Sequence, residues 1–348
     1  MKKLNNNKII YLEFLRVFSI CAVVLIHTVN SALILNTKTS IVDLIIYRSI
    51  YNLTCWAVPI FLMITGALLL NPLKEISLGK LFNKYILRML LILIVFGTIY
   101  AWIEIVFIER SINLLQLSHA IFNMVQGETW AHMWYLYMLI GLYIVTPFLK
   151  KIITYSNKAE IKYFLIITFI FNSIIPTAEH FLDIKVGIYI PIITIYPFYY
   201  VLGYYLSQIN ITTKKIKLVY SLGLFNIIIL ILCSFLQNYF GVGKIKFLSA
   251  YNSPVIITFS ISIYIFMREQ SYKLDEWYSK FISLLSRCSF GIYIIHMFFL
   301  NLFLKFFKFT PFNYPFFIGI PIFWISVFLC SFSLTFILTK IPIINKYL

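Results

Sequence analysis

The sequence predicts an all-α integral membrane protein of about ten transmembrane helices, with both termini cytoplasmic and a single domain over residues 1–348. Three observations predict it. The chain is 61% hydrophobic and only 12% charged, with a mean hydropathy of +0.90, which is more apolar surface than a soluble domain can bury. Apolar runs near the length that crosses a hydrocarbon core of about 30 Å recur along the whole chain. Lysine and arginine also alternate in density between successive connections, as the positive-inside rule requires.

Taken in order, the first run covers 9–31. It follows Met1-Lys2-Lys3 as a signal peptide would, but Glu13 and Arg16 inside it exclude a cleaved apolar region. The second, 47–70, contains Val58-Pro59 and Thr65-Gly66, the pattern of a kinked and closely packed helix. The third, 86–108, buries Glu104, a carboxylate with no obvious partner in the sequence. The fourth, 131–149, opens on the aromatic segment His132 to Tyr137. The runs at 162–182, 188–208, 216–239 and 250–267 are apolar between polar connections. The ninth, 287–307, carries Ser289, Tyr293 and His296, and the tenth is 316–339. Between the third and fourth runs, residues 109–130 are too apolar for a solvated loop and too polar to span, so an interfacial or re-entrant helix is expected.

With the N-terminus inside, the inner segments hold Lys2, Lys3 and Lys8; Lys74, Lys80, Lys84 and Arg88; Lys150, Lys151, Lys158 and Lys162; Lys214, Lys215 and Lys217; Arg268, Lys273, Lys280 and Arg287; and Lys340 and Lys346. The outer segments hold Lys38, Arg48, Arg110, Lys185, Lys244, Lys246, Lys305 and Lys308. Of the 29 Lys and Arg residues, 20 are therefore inside, 8 outside, and Arg16 lies within a span. A wrong span count would break this alternation partway along. The net charge of +17 thus reflects topology and anionic lipid rather than nucleic acid. The five cysteines lie in or beside apolar runs without metal or redox spacing, so they read as packing residues, and no metal is expected.

An ionisable group within the bilayer costs roughly 3 kcal/mol or more, so Glu13, Arg16 and His27 in one span need a reason. Glu13 and Arg16 are three residues apart and share a face. His27 lies eleven residues beyond Arg16, about three turns and 16 Å along the same face. The histidine suits proton transfer near neutrality, while Arg16 keeps its charge and suits an anion. A second group is Glu128, His132 and Trp134 at the outer end of the fourth run, and a third is Ser289, Tyr293 and His296 on one face of the ninth. Hydrolase triads, zinc spacings and glycine-rich phosphate loops do not occur.

At these residues the chain resembles the membrane acyltransferase 3 family, whose members O-acetylate bacterial surface polysaccharides. The resemblance rests on Glu13-Phe14-Leu15-Arg16 with His27, on Val58 to Leu70, on His132-Met133-Trp134-Tyr135-Leu136 running to Thr146-Pro147, and on Ser289-Phe290-Gly291-Ile292-Tyr293 with His296. Thr65 stands where serine is usual, and Met297 where proline is common. The resemblance implies transfer of an acyl group, usually acetyl, from cytoplasmic acetyl-CoA to a hydroxyl of a cell-surface or lipid-linked glycan. In that reading His27 is the essential histidine, Arg16 is an anion or coenzyme A contact beside Glu13, and the other two groups bind substrate. It further implies a multi-pass protein of the bacterial plasma membrane, with membrane lipid and polysaccharide-assembly proteins as partners. Many relatives carry a C-terminal hydrolase-like domain, which is not expected here. The rival expectations are a transporter of a glycan or small polar solute, and a non-catalytic scaffold.

Overall fold

The computed structural model of the chain describes residues 2–35, 40–188, 194–271 and 276–347. Lys38 and Lys273, counted in the charge alternation, and residues 189–193 of the sixth expected span lie outside the described residues. Among those described, the secondary structure is helical without strands. In chain order the helices are α1 (Lys2–Leu35), α2 (Ile41–Thr54), α3 (Ala57–Leu69), α4 (Leu78–Glu109), α5 (Leu114–Gln126), α6 (Trp134–Tyr155), α7 (Lys158–Leu182), α8 (Ile195–Gln208), α9 (Thr213–Tyr239), α10 (Pro254–Ser271), α11 (Glu276–Asn301) and α12 (Phe316–Leu338). Several begin earlier than the apolar runs do. The extensions of α4 and α11 carry Lys80, Lys84 and Lys280, which are good helix formers and can leave the hydrocarbon without ending the helix.

The described residues include nine helical segments long and apolar enough to cross a membrane, with α2 and α3 forming one of them. This is an all-α integral membrane protein of about ten helices, and α8 is the remaining candidate. At 14 residues it rises only about 21 Å. Its direction follows from the contact between α1 and α11. Along that contact Glu13 meets Ser283, Arg16 meets Ser286 and His27 meets His296, so residue numbers increase together and the two helices are parallel. Parallel spans are separated by an odd number of crossings. The segments α2–α3, α4, α6, α7, α9 and α10 supply six, and α8 makes the seventh. Phe198, Tyr199, Tyr200, Val201 and Leu202 are all buried, and irregular backbone at membrane depth is tolerated where protein surrounds it.

The chain divides into two compact units, Met1–Leu68 with Asn157–Ile337, and Leu69–Ser156 with Leu338–Leu348. In the first, α1 packs against α2, α10 and α11, and α9 against α2 and α10. The α2–α3 break falls at Cys55 and Trp56, where Pro59 would clash with the carbonyl one turn back. α3 then crosses α8 at backbone contact. A Cβ on Gly66 would overlap the Tyr200 carbonyl oxygen, and one on Gly203 the Met63 carbonyl oxygen. Without a hydrophobic force between helices in lipid, such close approach is a main source of helix association. Thr28, Thr54, Thr65 and Ser260 return their hydroxyls to the carbonyl one turn back within their own helices, which satisfies them away from water.

In the second unit, the Lys150 ammonium donates to the carbonyls of Leu69 (3.2 Å), Asn71 (2.9 Å) and Lys74, at the point where the chain leaves α3. The segment expected to be interfacial contains α5, opened by a capping box between Asn113 and Gln116. Gln116 is buried and donates to Glu109 at 2.7 Å, whereas Leu114, Leu115, Phe122 and Val125 point outward. That is the reverse of a water-facing helix and suits the membrane interface.

The charge pattern carries an orientation that labelling checks. A membrane-impermeant maleimide should reach Lys246→Cys from outside and Lys214→Cys only after the membrane is opened, relative to the native thiols alone. Both positions are exposed. Equal labelling of the two in sealed cells would overturn the orientation.

Candidate functional site

In the first unit, the ionisable stripe of α1 lies along α11. The apolar positions around it, Leu12, Leu15, Val23 and Val24, are buried in packing, while Phe18 is exposed. Glu13, Arg16 and His27 are each partly buried, so the stripe faces protein rather than lipid. At one end, Ser283 donates its hydroxyl to the Glu13 carboxylate. One turn on, Arg16 Nη1 donates to Ser286 Oγ at 3.4 Å. Ser286 in turn accepts, through its carbonyl, the hydroxyl of Ser289 at 2.7 Å.

At the other end the His27 and His296 rings lie 5.1 Å apart between centroids, tilted by 49°. His296 is fully buried. Its Nδ1 lies 2.7 Å from the Tyr293 carbonyl and 3.2 Å from that of Ile292. A carbonyl only accepts, so Nδ1 carries a proton in these contacts. The Tyr293 ring lies 6.1 Å from that of His296. Gly291 lies against Thr335 of α12, whose methyl a Cβ there would meet. α1 is further tied to α12 by Trp324 Nε1, which donates to the Cys21 carbonyl at 3.0 Å.

The sequence-predicted residues Glu13, Arg16, His27, Ser289, Tyr293 and His296 therefore come together in one unit. Ser283 and Ser286 were missed. Their signal was the spacing itself, since Ser283, Ser286, Ser289, Tyr293 and His296 continue one helical stripe back by two turns.

The remaining predicted group belongs to the second unit and separates by environment. His132 is buried, whereas Glu128 and Trp134 are exposed. The His132 ring lies 5.7 Å from Tyr100, which stacks on Trp130 at 4.2 Å and 11°. Trp130 Nε1 donates to Glu104 at 3.0 Å. This corrects the reading of Glu104 as a carboxylate without an obvious partner: its partner comes from another segment, beyond the reach of local spacing. Among the described residues, no group of three or more His, Cys, Asp or Glu side chains is placed to hold a metal ion.

The arrangement in the first unit offers two imidazoles at one end and a guanidinium and carboxylate about 16 Å away at the other. An imidazole can exchange a proton near neutrality and a guanidinium can hold an anion. A family model described as an acyltransferase domain matches residues 9–340, nearly the whole chain. No curated protein and no solved structure matches.

Proposed function

Because the chain belongs to the acyltransferase 3 family, we propose that it moves an acetyl group from acetyl-CoA to a hydroxyl of a cell-surface or lipid-linked glycan, with His27 as general base. The observation that carries this reading is the pairing of His27 with a second imidazole, His296, inside a membrane helix bundle. A sugar hydroxyl must lose its proton as it attacks the thioester carbonyl, and an imidazole is the side chain suited to taking it near neutral pH. In the proposed step, the hydroxyl oxygen forms a bond to the carbonyl carbon while His27 takes its proton. The tetrahedral intermediate then collapses, the carbon–sulfur bond breaks, and the imidazolium returns the proton to the leaving thiolate. The products are the O-acetyl ester and free coenzyme A. The His296 Nδ1 bonds to backbone orient its ring, which positions it to support His27.

Arg16 and Glu13 would lie at the donor's end. Coenzyme A carries phosphates, and the planar guanidinium can hold such an anion by two parallel bonds. The roughly 16 Å rise from Arg16 to His27 is comparable with the pantetheine arm that must bring the thioester to the histidine. In the second unit, Lys74, Lys80 and Lys84 form a separate basic cluster on the face assigned to the cytoplasm. Burial, and then repulsion from Lys84, Lys150 and Lys80, holds the Lys74 ammonium below the ordinary lysine range, a strain that a bound phosphate would relieve. His132 and Trp134, with Glu128, would serve substrate binding in the second unit. The setting proposed is the bacterial plasma membrane, beside proteins that assemble polysaccharide.

The test is acetyl transfer from labelled acetyl-CoA to isolated surface glycan, using the protein in membranes or nanodiscs. Label in an alkali-labile ester on the glycan is the expected result. If no native glycan fraction causes acetyl-CoA to be consumed, the acyl-transfer reading falls and carriage of a polar solute becomes the account of the same polar groups. A finer check is Arg16→Lys. Lysine keeps the charge but loses the fork, and a charged hydrogen bond is worth about 1.5–3 kcal/mol. We expect kcat/KM for acetyl-CoA to drop by about 10- to 100-fold, with the acceptor KM little changed. Wild-type kinetics in this variant would remove Arg16 from the donor site.

A further inference from the structure

A cleft of 520 Å³ opens in the first unit, away from the α1–α11 contact. Its volume is that of a small-molecule site. Its walls come from four places: Tyr51 on α2, Asn172 on α7, Tyr196 on α8, and Ser249, Tyr251 and Asn252 in the turn before α10. By the direction of the helices, all lie toward the membrane face at which α1 ends, the same face as the His27 end. Tyr51 packs into a cluster with Leu25 and Val29, which flank His27 on α1 by two residues on either side.

The chemistry of the lining is selective. No described residue on its walls is acidic or basic, so neither a phosphate nor a metal ion finds a counter-charge there. An acyl chain would leave two carboxamides and several hydroxyls facing hydrocarbon, which is costly. Three tyrosine rings supply flat apolar faces with polar tips. Asn172 and Asn252 each offer a donor and an acceptor on one group, the pattern that matches neighbouring hydroxyls on a ring. A pyranose has this mixture, with apolar C–H faces and a rim of hydroxyls.

The walls are also held in place before any ligand arrives. Asn172 Nδ2 donates to the Thr168 carbonyl at 3.1 Å, which sets its plane. Tyr199 donates to the Tyr251 carbonyl at 2.7 Å. The turn bearing Ser249 is fixed to the end of α7 by the His180 ring stacked on Phe247 at 4.6 Å, and by His180 Nε2 within 2.9 Å of the Lys244 carbonyl.

We infer that this cleft seats an uncharged sugar ring of the acceptor, held by the tyrosine faces and by Asn172 and Asn252. The inference rests on the acyl-transfer reading for what the sugar is used for, but the binding itself is measurable without transfer. The probe is a set of oligosaccharides released from the de-O-acetylated surface polysaccharide of the producing cells, followed by saturation-transfer NMR on the full chain in nanodiscs. Tyr196→Ala and Asn252→Ala should each weaken binding about tenfold or more, as loss of buried polar and stacking contacts does. Tyr196→Phe, which keeps the ring, should retain most of it. Unchanged affinity in both alanine variants, or no binding by the wild type, overturns the cleft as a sugar site. Labelled acetyl transfer separates the two ideas. Normal binding by the variants with active wild-type transfer would remove the cleft and leave the enzyme. Loss of binding in the variants with no wild-type transfer would keep the cleft and remove the enzyme.

Discussion

His27→Ala should abolish acetyl transfer while the protein remains folded and inserted. General-base help is commonly worth about 10²- to 10⁴-fold, and alanine removes it without leaving a stranded charge. The neighbouring packing is apolar and tight, with Val23, Val24 and Val29 all buried on the same helix. The loss of one partly buried ring should therefore lower stability far less than it lowers turnover. The measurement is transfer from labelled acetyl-CoA at equal amounts of monodisperse protein. Near-wild-type rates would place the base elsewhere, with His296 the next candidate on the same face and His132 after it. The pair also makes a comparative prediction. If His296 orients and supports His27 rather than taking the proton itself, His296→Ala should cost less than His27→Ala.

Gly66→Ala should prevent the protein from accumulating in folded form. The added methyl would overlap a backbone carbonyl of α8, and Gly203 meets α3 in the same way. Neither neighbour is the end of a flexible side chain that can swing aside. Overpacking within a core ordinarily costs about 1–3 kcal/mol and occasionally more. Here two helix backbones must separate, so the upper end of that range or beyond is expected. Gly141→Ala on α6 is the control, since a Cβ there meets nothing within 4 Å. It should be neutral or slightly stabilising, because alanine favours helix over glycine by about 1 kcal/mol. Yield of monodisperse protein and its Tm report both. Because Gly66 and Gly203 form one crossing, the double variant should be less damaging than the sum of the singles. Normal yield of Gly66→Ala would mean that α3 and α8 do not touch at backbone distance.

The membrane class and most of the helices were legible because they depend on local composition. A run of twenty apolar residues has few alternatives, and the lysines and arginines mark its ends. The ionisable stripe was legible for the same reason. Glu13, Arg16 and His27 are costly in lipid, and helix geometry alone puts them on one face. The limits of this logic show in α8. The apolar run at 188–208 reads as a span in the sequence, but the described helix within it has only 14 residues, and it is its burial and the parallel run of α1 and α11 that support the crossing. Ser283 and Ser286 were passed over because serine is cheap to bury beside its own backbone and so gives a weak signal in a hydropathy pattern. Glu104 was left without a partner because Trp130 reaches it from across the α4–α6 connection.

By itself, the sequence determined that this chain is a bundle of membrane helices, that α1 carries its ionisable groups on one face, and that the ordered motifs belong to one family. Each of these is written in residues close together along the chain, where hydrophobic periodicity and the price of a charge in hydrocarbon act directly. The tertiary structure alone decided which helix receives that face, that His27 meets His296, that α3 and α8 touch backbone to backbone, and that tyrosines and asparagines from α2, α7, α8 and the turn before α10 enclose a cleft. These contacts join residues tens to hundreds of positions apart. In lipid, where apolar surface does not distinguish one helix partner from another, they are settled by shape and by polar groups finding each other, and no local pattern encodes that choice.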